Sequence, residues 1–119
     1  MKFNWVTLRV RDMKKSLDFY QNDLGLVLDR RFGQENMELA FLGRKDQAKV
    51  ELIWEKDLVL DKVGQGVSIG LEPENLEELV ESLKAKGYSL IGPISPNPHI
   101  TFYYITDPDG YTIQLSKSI

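Results

Sequence analysis

The stretch TDPDGYTIQL, Thr106 to Leu115, decides how this chain is organised. Asp-Pro-Asp-Gly is a strong turn sequence: Pro108 presets its own φ and Gly110 accepts a left-handed backbone at no steric cost. The flanking runs ITFYYIT and YTIQLS are rich in β-branched and aromatic residues, so the chain closes on a hairpin. The last strand has a counterpart upstream. Ile113-Gln114-Leu115 matches Val50-Glu51-Leu52 at an offset of 63 residues, and Leu76, Val80 and Leu83 match Met13, Leu17 and Tyr20 at the same offset. A repeat of this length predicts two copies of one supersecondary unit.

The first copy starts with NWVTLRV, which alternates like a strand. Asp12 offers a helix N-cap, Met13, Leu17, Tyr20 and Leu24 follow at helical spacing, and Gly25 is placed to end the helix. LVLDRRF, MELAFL and AKVELIW then read as strands separated by the turn signals GQEN and GRKDQ. In the second copy GVSIGLE is the strand. Asn75 and Glu78 form a capping-box pattern, Leu76, Val80 and Leu83 give the apolar stripe, and Gly87 ends the helix. YSLIG, ITFYYIT and YTIQLS complete it. The predicted architecture is α+β, two βαβββ modules forming a curved, partly open β-barrel-like cleft with helices on the outside. Module 1 covers about 1–55, a linker about 56–65 and module 2 about 66–119, as one domain.

Composition narrows the function. The 119 residues suffice for a real core, and 42% hydrophobic with 28% charged residues is ordinary for a globular protein. A net charge of −3 gives no basic surface for a phosphate backbone, so nucleic acid is not an expected partner. No long apolar run, signal-like start or lipidation motif indicates export or membrane insertion. With no cysteine there is neither disulfide nor thiolate chemistry, which fits a cytoplasmic protein. His99 is the single histidine, in the Pro-rich segment ISPNPHI expected to be a loop; it reads as a solvated residue or as an acid/base on a lid.

Strand alternation sorts the residues onto two faces. Val6, Leu8 and Val10 should lie under the first helix, with Trp5, Thr7 and Arg9 opposite. Val50 and Leu52 point the same way as Leu8, leaving Lys49, Glu51 and Ile53 on the second face. In the second copy that face takes Ser68, Gly70, Thr112, Gln114 and Ser116, joined by Tyr103 and Ile105 if Thr106 pairs with Tyr111. Aromatic, charged and small polar side chains mixed on one face suit a ligand cleft. Trp5 reads as a stacking platform or as a core tryptophan. Glu51 reads as a general base, or as a structural carboxylate paired with Arg9 or Lys49.

TLRVRDMKKSLDFYQNDLGL, DPDGYTIQL and the paired modules resemble the vicinal oxygen chelate superfamily, which includes glyoxalase I, extradiol dioxygenases and fosfomycin- and bleomycin-resistance proteins. The resemblance spans the chain. In metal-dependent members of that superfamily, four side chains on the first and fourth strands of the two modules bind the ion. The matching positions here are Trp5, Glu51, Ser68 and Gln114, where the resemblance implies histidine or glutamine, glutamate, histidine and glutamate. At Arg9 it implies contact with a glutathione carboxylate, a task suited to a guanidinium fork.

An indole offers no ligand lone pair and a serine hydroxyl is a weak donor, so Glu51 and Gln114 supply two oxygens and one charge. Three or four protein ligands are usual at a catalytic zinc. The expectation is therefore no intrinsic cofactor and metal-independent binding of a small molecule, aromatic or antibiotic-like. Ligand-binding candidates are Trp5, Thr7, Arg9, Lys49, Glu51, Ser68, Tyr103 and Gln114. The resemblance also implies a homodimer. The alternative is an enzyme of the lactoylglutathione lyase kind, or another lyase, isomerase or thiol transferase. It would use Glu51 as catalytic base or with a weakly held divalent metal.

Overall fold

The computed structural model describes all 119 residues, which fall into two compact units, Met1–Lys62 and Val63–Ile119. Each is a βαβββ module with one four-stranded mixed sheet, as the repeat predicts.

In the first unit β1 (Trp5–Arg9) pairs in parallel with β4 (Lys49–Glu55), and the antiparallel hairpin of β2 (Leu28–Gln34) and β3 (Met37–Leu42) extends the sheet in the order β1-β4-β3-β2. Parallel pairing of β1 with β4 requires a crossover, and α1 (Met13–Leu17) begins it. The Asp12 side chain accepts from the Lys15 N–H at the helix start. Beyond Leu17 the helix does not stay α-helical: Asp18–Asp23 is a π-helical turn, within which Phe19 and Tyr20 are both fully buried. Widening the turn lets these two adjacent rings, 4.9 Å apart and edge to face, both enter the core. Gly25 follows with φ 83°, the left-handed geometry that ends the helix. Leu8, Val10, Val50, Leu52, Ala40 and Leu42 form the buried face under Met13 and Leu17.

The second unit repeats the plan. β5 (Ser68–Leu71) runs parallel to β8 (Thr112–Ser118), with β7 (Ile100–Thr106) and β6 (Ile91–Asn97) completing the order β5-β8-β7-β6. Helix α2 (Leu76–Ala85) carries the Asn75 cap to the Glu78 N–H and buries Leu76, Val80 and Leu83 towards Ile105, Ile113 and Leu115. One expectation needs correction. The second strand of this unit shares only Ile91 and Gly92 with YSLIG; it starts at Ile91 and runs through the Pro-rich segment, so residues 91–97 are strand rather than loop. Pro93 and Pro96 are tolerated because β6 is an edge strand, and their missing N–H groups leave its pairing with β7 interrupted at two register shifts. His99 sits in the turn that follows, where its backbone N–H donates to Asn97 Oδ1.

Candidate functional site

The face of each sheet turned away from its helix carries the candidate residues. In the first unit, cross-strand register puts two of them, Thr7 and Glu51, in one row with two residues not anticipated, Phe41 and Arg30: Thr7 opposite Glu51, Glu51 opposite Phe41, and Phe41 opposite Arg30. The Thr7 hydroxyl donates to Glu51 Oε1 at 2.5 Å, the short limit for O–H to carboxylate. Glu51 is only 9% exposed, and neither expected cation reaches it. Arg9 Nε lies instead 3.3 Å from Glu55 Oε1. Lys49 Nζ donates to the carbonyls of Arg44, Lys45 and Gln47 at 2.9, 3.2 and 3.2 Å, folding the β3–β4 connection around its ammonium. The pairing of Glu51 with Arg9 or Lys49 is thus replaced by a hydroxyl partner. The reason is reach: Thr7 lies directly across from Glu51, whereas Arg9 and Lys49 are in register with Ile53 and Trp5.

Aromatic groups flank the row. Trp5 meets Phe41 edge to face at 5.6 Å, and the Arg30 guanidinium stands 5.0 Å over the Phe41 ring. Trp5 is 50% exposed, which corrects the core-tryptophan reading and leaves much of its indole open. A small hollow of about 150 Å³ opens beside Trp5, Arg30, Phe41 and Lys49.

In the second unit the corresponding row is Gly70, Gln114 and Tyr104. Here the sequence expectation fails in a specific way. Thr106 pairs with Thr112, not Tyr111, so Tyr104 lies opposite Gln114 while Tyr103 lies opposite Leu115 and Ile105 opposite Ile113 on the buried face. The cause is the turn. Asp107, 5% exposed, accepts three backbone N–H bonds at one oxygen, from Asp109, Gly110 and Tyr111 at 3.0, 2.9 and 2.8 Å. Asp107 N also donates to Tyr111 O, so Tyr111 belongs to the loop rather than to the strand. A slip of one residue moves every side chain to the other face. Tyr103 therefore leaves the candidate face and Tyr104 takes its place. The internal repeat already contained this answer, because the 63-residue offset carries Phe41 onto Tyr104. Phe41 itself follows from counting the β3–β4 hairpin back from its turn.

Ser68 and Thr112 are neighbours on this face, and with Tyr104, Thr106 and the Gly64–Gly66 segment they line an open groove of about 600 Å³. No charged side chain lines it. Gln114 presents its amide beside Gly70, where a side chain is missing: a Cβ on Gly70 would stand 3.9 Å from Gln114 Oε1.

The four positions at which the superfamily resemblance implies metal ligands hold Trp5 and Glu51 in the first unit and Ser68 and Gln114 in the second. Trp5 cannot ligate, the Ser68 hydroxyl is a weak donor, and Glu51 and Gln114 offer one carboxylate and one amide oxygen. No three His, Cys, Asp or Glu side chains gather anywhere in the chain. This donor set does not fit a tightly held transition metal. No helix is long and apolar enough to cross a membrane.

Comparison with known proteins places these rows in context. The family model for the Glyoxalase/Bleomycin resistance protein/Dioxygenase superfamily matches residues 2–115. A lactoylglutathione lyase of Neisseria meningitidis serogroup A is 34% identical over 122 residues, covering 96% of this chain and 88% of that protein. The lactoylglutathione lyase of Escherichia coli O157:H7 is 32% identical, covering 97% and 91%. Among solved structures, the trypanothione-dependent glyoxalase I of Leishmania major superposes with a TM-score of 0.80 at 23% identity, covering 97% of this chain and 85% of that one. TnmS3, an antibiotic binding protein from Streptomyces sp. CB03234, gives 0.74 at 19% identity over 100% and 97%. At those identities the two structures speak for the fold.

Proposed function

The chain belongs to the Glyoxalase/Bleomycin resistance protein/Dioxygenase superfamily, and from that premise we propose that it binds a small, planar or aromatic molecule without needing a metal ion. One observation carries the reading: where the superfamily resemblance implies metal ligands, this chain has an exposed indole, a hydroxyl, an amide and one carboxylate, hydrogen-bonded to Thr7. What remains suits recognition by stacking and a few directed hydrogen bonds. In the first unit Trp5 and Phe41 supply the π surface and Glu51 an acceptor; in the second, Gln114 and Tyr104 carry groups that both donate and accept. A homodimer is part of the same proposal, with the exposed Phe32 and Ile91 as side chains that a partner would cover.

The test is fluorescence. In a Trp54→Phe background Trp5 is the one indole, and a planar aromatic probe is expected to quench it saturably in buffer containing a chelator. Equal quenching in a Trp5→Phe, Trp54→Tyr protein would be impossible, so the control is binding by calorimetry, expected to weaken several-fold when Trp5 becomes alanine.

A second reading is supported by the relatives named lactoylglutathione lyase. There Glu51 acts as the base, held in place by Thr7, on a thiohemiacetal substrate. Turnover of such a substrate that Glu51→Gln abolishes would replace the binding proposal with this one.

A further inference from the structure

We propose that the hollow beside Trp5 takes the anionic end of an aromatic guest, with Lys2 and Lys45 as the residues that recognise its charge. The proposal deepens the binding reading above and rests on it. The hollow is a product of the fold. Parallel pairing sets Trp5 beside Lys49, and the Lys49 backbone N–H donates to Asn4 O at 2.9 Å. The segment entering β1 and the connection entering β4 therefore meet at one end of the sheet. Lys2 and Asn4 line the hollow from the first, and Lys45 and Gln47 from the second. The Lys49 ammonium fixes that connection by donating to the carbonyls of Arg44, Lys45 and Gln47.

The charges around the hollow do not cancel. Neutral carbonyls occupy the N–H groups of Lys49 and leave its charge in place. Arg30 stands 3.8 Å from Asp29, which is the one carboxylate among the lining residues. The Lys2 and Lys45 ammonium groups have no partner in the chain, so each keeps three N–H donors for a guest. The result is a cationic spot on a chain whose net charge is −3. Glu51 does not line it. At about 150 Å³ the hollow is well below the roughly 300 Å³ at which a pocket begins to enclose a drug-sized ligand. It admits one functional group and the edge of a ring. The rest of the guest lies outside, where half-exposed Trp5 offers its indole for stacking. The Arg30 guanidinium, 5.0 Å over the Phe41 ring, offsets the repulsion that a bare aromatic face has for an anion. These features favour an aromatic carboxylate over a neutral aromatic of the same shape.

The experiment compares two probes of one shape, 1-naphthylacetate and 1-naphthylacetamide, titrated calorimetrically into the full chain at low salt. The wild-type protein is expected to bind both, the acetate about fivefold more tightly, the scale of two exposed charge pairs. Raising the salt to about 0.5 M should bring the ratio towards one, because exposed charges are screened. Lys2→Met combined with Lys45→Met should do the same at low salt, whereas Lys2→Arg with Lys45→Arg should keep the preference. Lys14→Met with Lys15→Met makes the same change of net charge on α1 and should leave the ratio as it is. The inference is overturned, with the binding reading intact, if the amide binds and the acetate binds no more tightly. It is equally overturned if the Lys2 and Lys45 methionine pair keeps the wild-type ratio, or if the Lys14 and Lys15 pair lowers it as much. Failure of both probes to bind the wild-type protein overturns both readings.

Discussion

Glu51 shows how a single hydroxyl can decide the character of a site. Its carboxylate is nearly out of solvent, and Thr7 is its hydrogen-bond partner within the chain. Thr7→Val keeps the shape and removes the donor, so the buried carboxylate loses its bond. The expected cost is about 1–3 kcal/mol in urea unfolding, and Thr7→Ser should recover most of it. A second residue-level prediction concerns Asp107. Removing the oxygen that gathers three backbone N–H groups, by Asp107→Ala, should cost about 2–3 kcal/mol, with Asp107→Asn milder because an acceptor remains. The same residue explains what could not be read from the sequence. DPDG announces a turn, but whether Tyr111 belongs to turn or strand depends on which N–H groups Asp107 collects, and propensity is blind to that. The face of Tyr103 and Tyr104 hangs on this one bond set. Side-chain partners were equally opaque: alternation put Arg9, Lys49 and Glu51 on one face correctly, but only the register says that Thr7, and not a cation, meets Glu51.

At the level of elements, the sequence was most readable where a strong pattern agrees with a cap. Helix α2 has its Asn75 cap, its three-residue apolar stripe and its glycine stop where the pattern placed them. Leu83 is fully buried on that stripe, and Leu83→Ala should cost about 2–5 kcal/mol by chemical denaturation. The helix start is also tied to β8. Lys117 Nζ donates to Glu77 Oε1 at 2.8 Å, and this ammonium holds the Glu77 carboxyl below the ordinary glutamate range. A carboxyl lowered on folding adds stability that is complete above its ordinary value and fades as pH falls through the lowered one. The pair is exposed, so its effect is small and confined to the acid side. Unfolding midpoints of Glu77→Gln and wild type should differ at neutral pH and converge as the acid limit is approached. Less readable were the elements that break a rule to satisfy packing. The π-helical turn at Asp18–Asp23 arises because Phe19 and Tyr20 are both core residues, which 3.6-residue spacing would not deliver. β6 runs through two prolines that sequence rules assign to a loop, and only its place at the sheet edge makes that tolerable.

On the scale of the whole molecule, the internal repeat was the most informative feature of the sequence, since it fixed two βαβββ units and their strand roles before any contact was known. The repeat also makes the divergence between units interpretable. Matching rows read Thr7, Glu51, Phe41 in one unit and Gly70, Gln114, Tyr104 in the other: the same scaffold, with the hydroxyl deleted, the charge removed and a phenol added. Fold membership follows from the scaffold, while function follows from these substitutions, because superfamily members share the first and differ in the second. The account stands on guest recognition that needs no metal. Its most direct test is calorimetric titration of 1-naphthylacetamide into protein stripped by EDTA and dialysed, repeated on the same sample after a divalent transition metal is restored. Saturable binding with the same affinity and stoichiometry in both states is expected; binding that appears only when the metal returns would contradict the account.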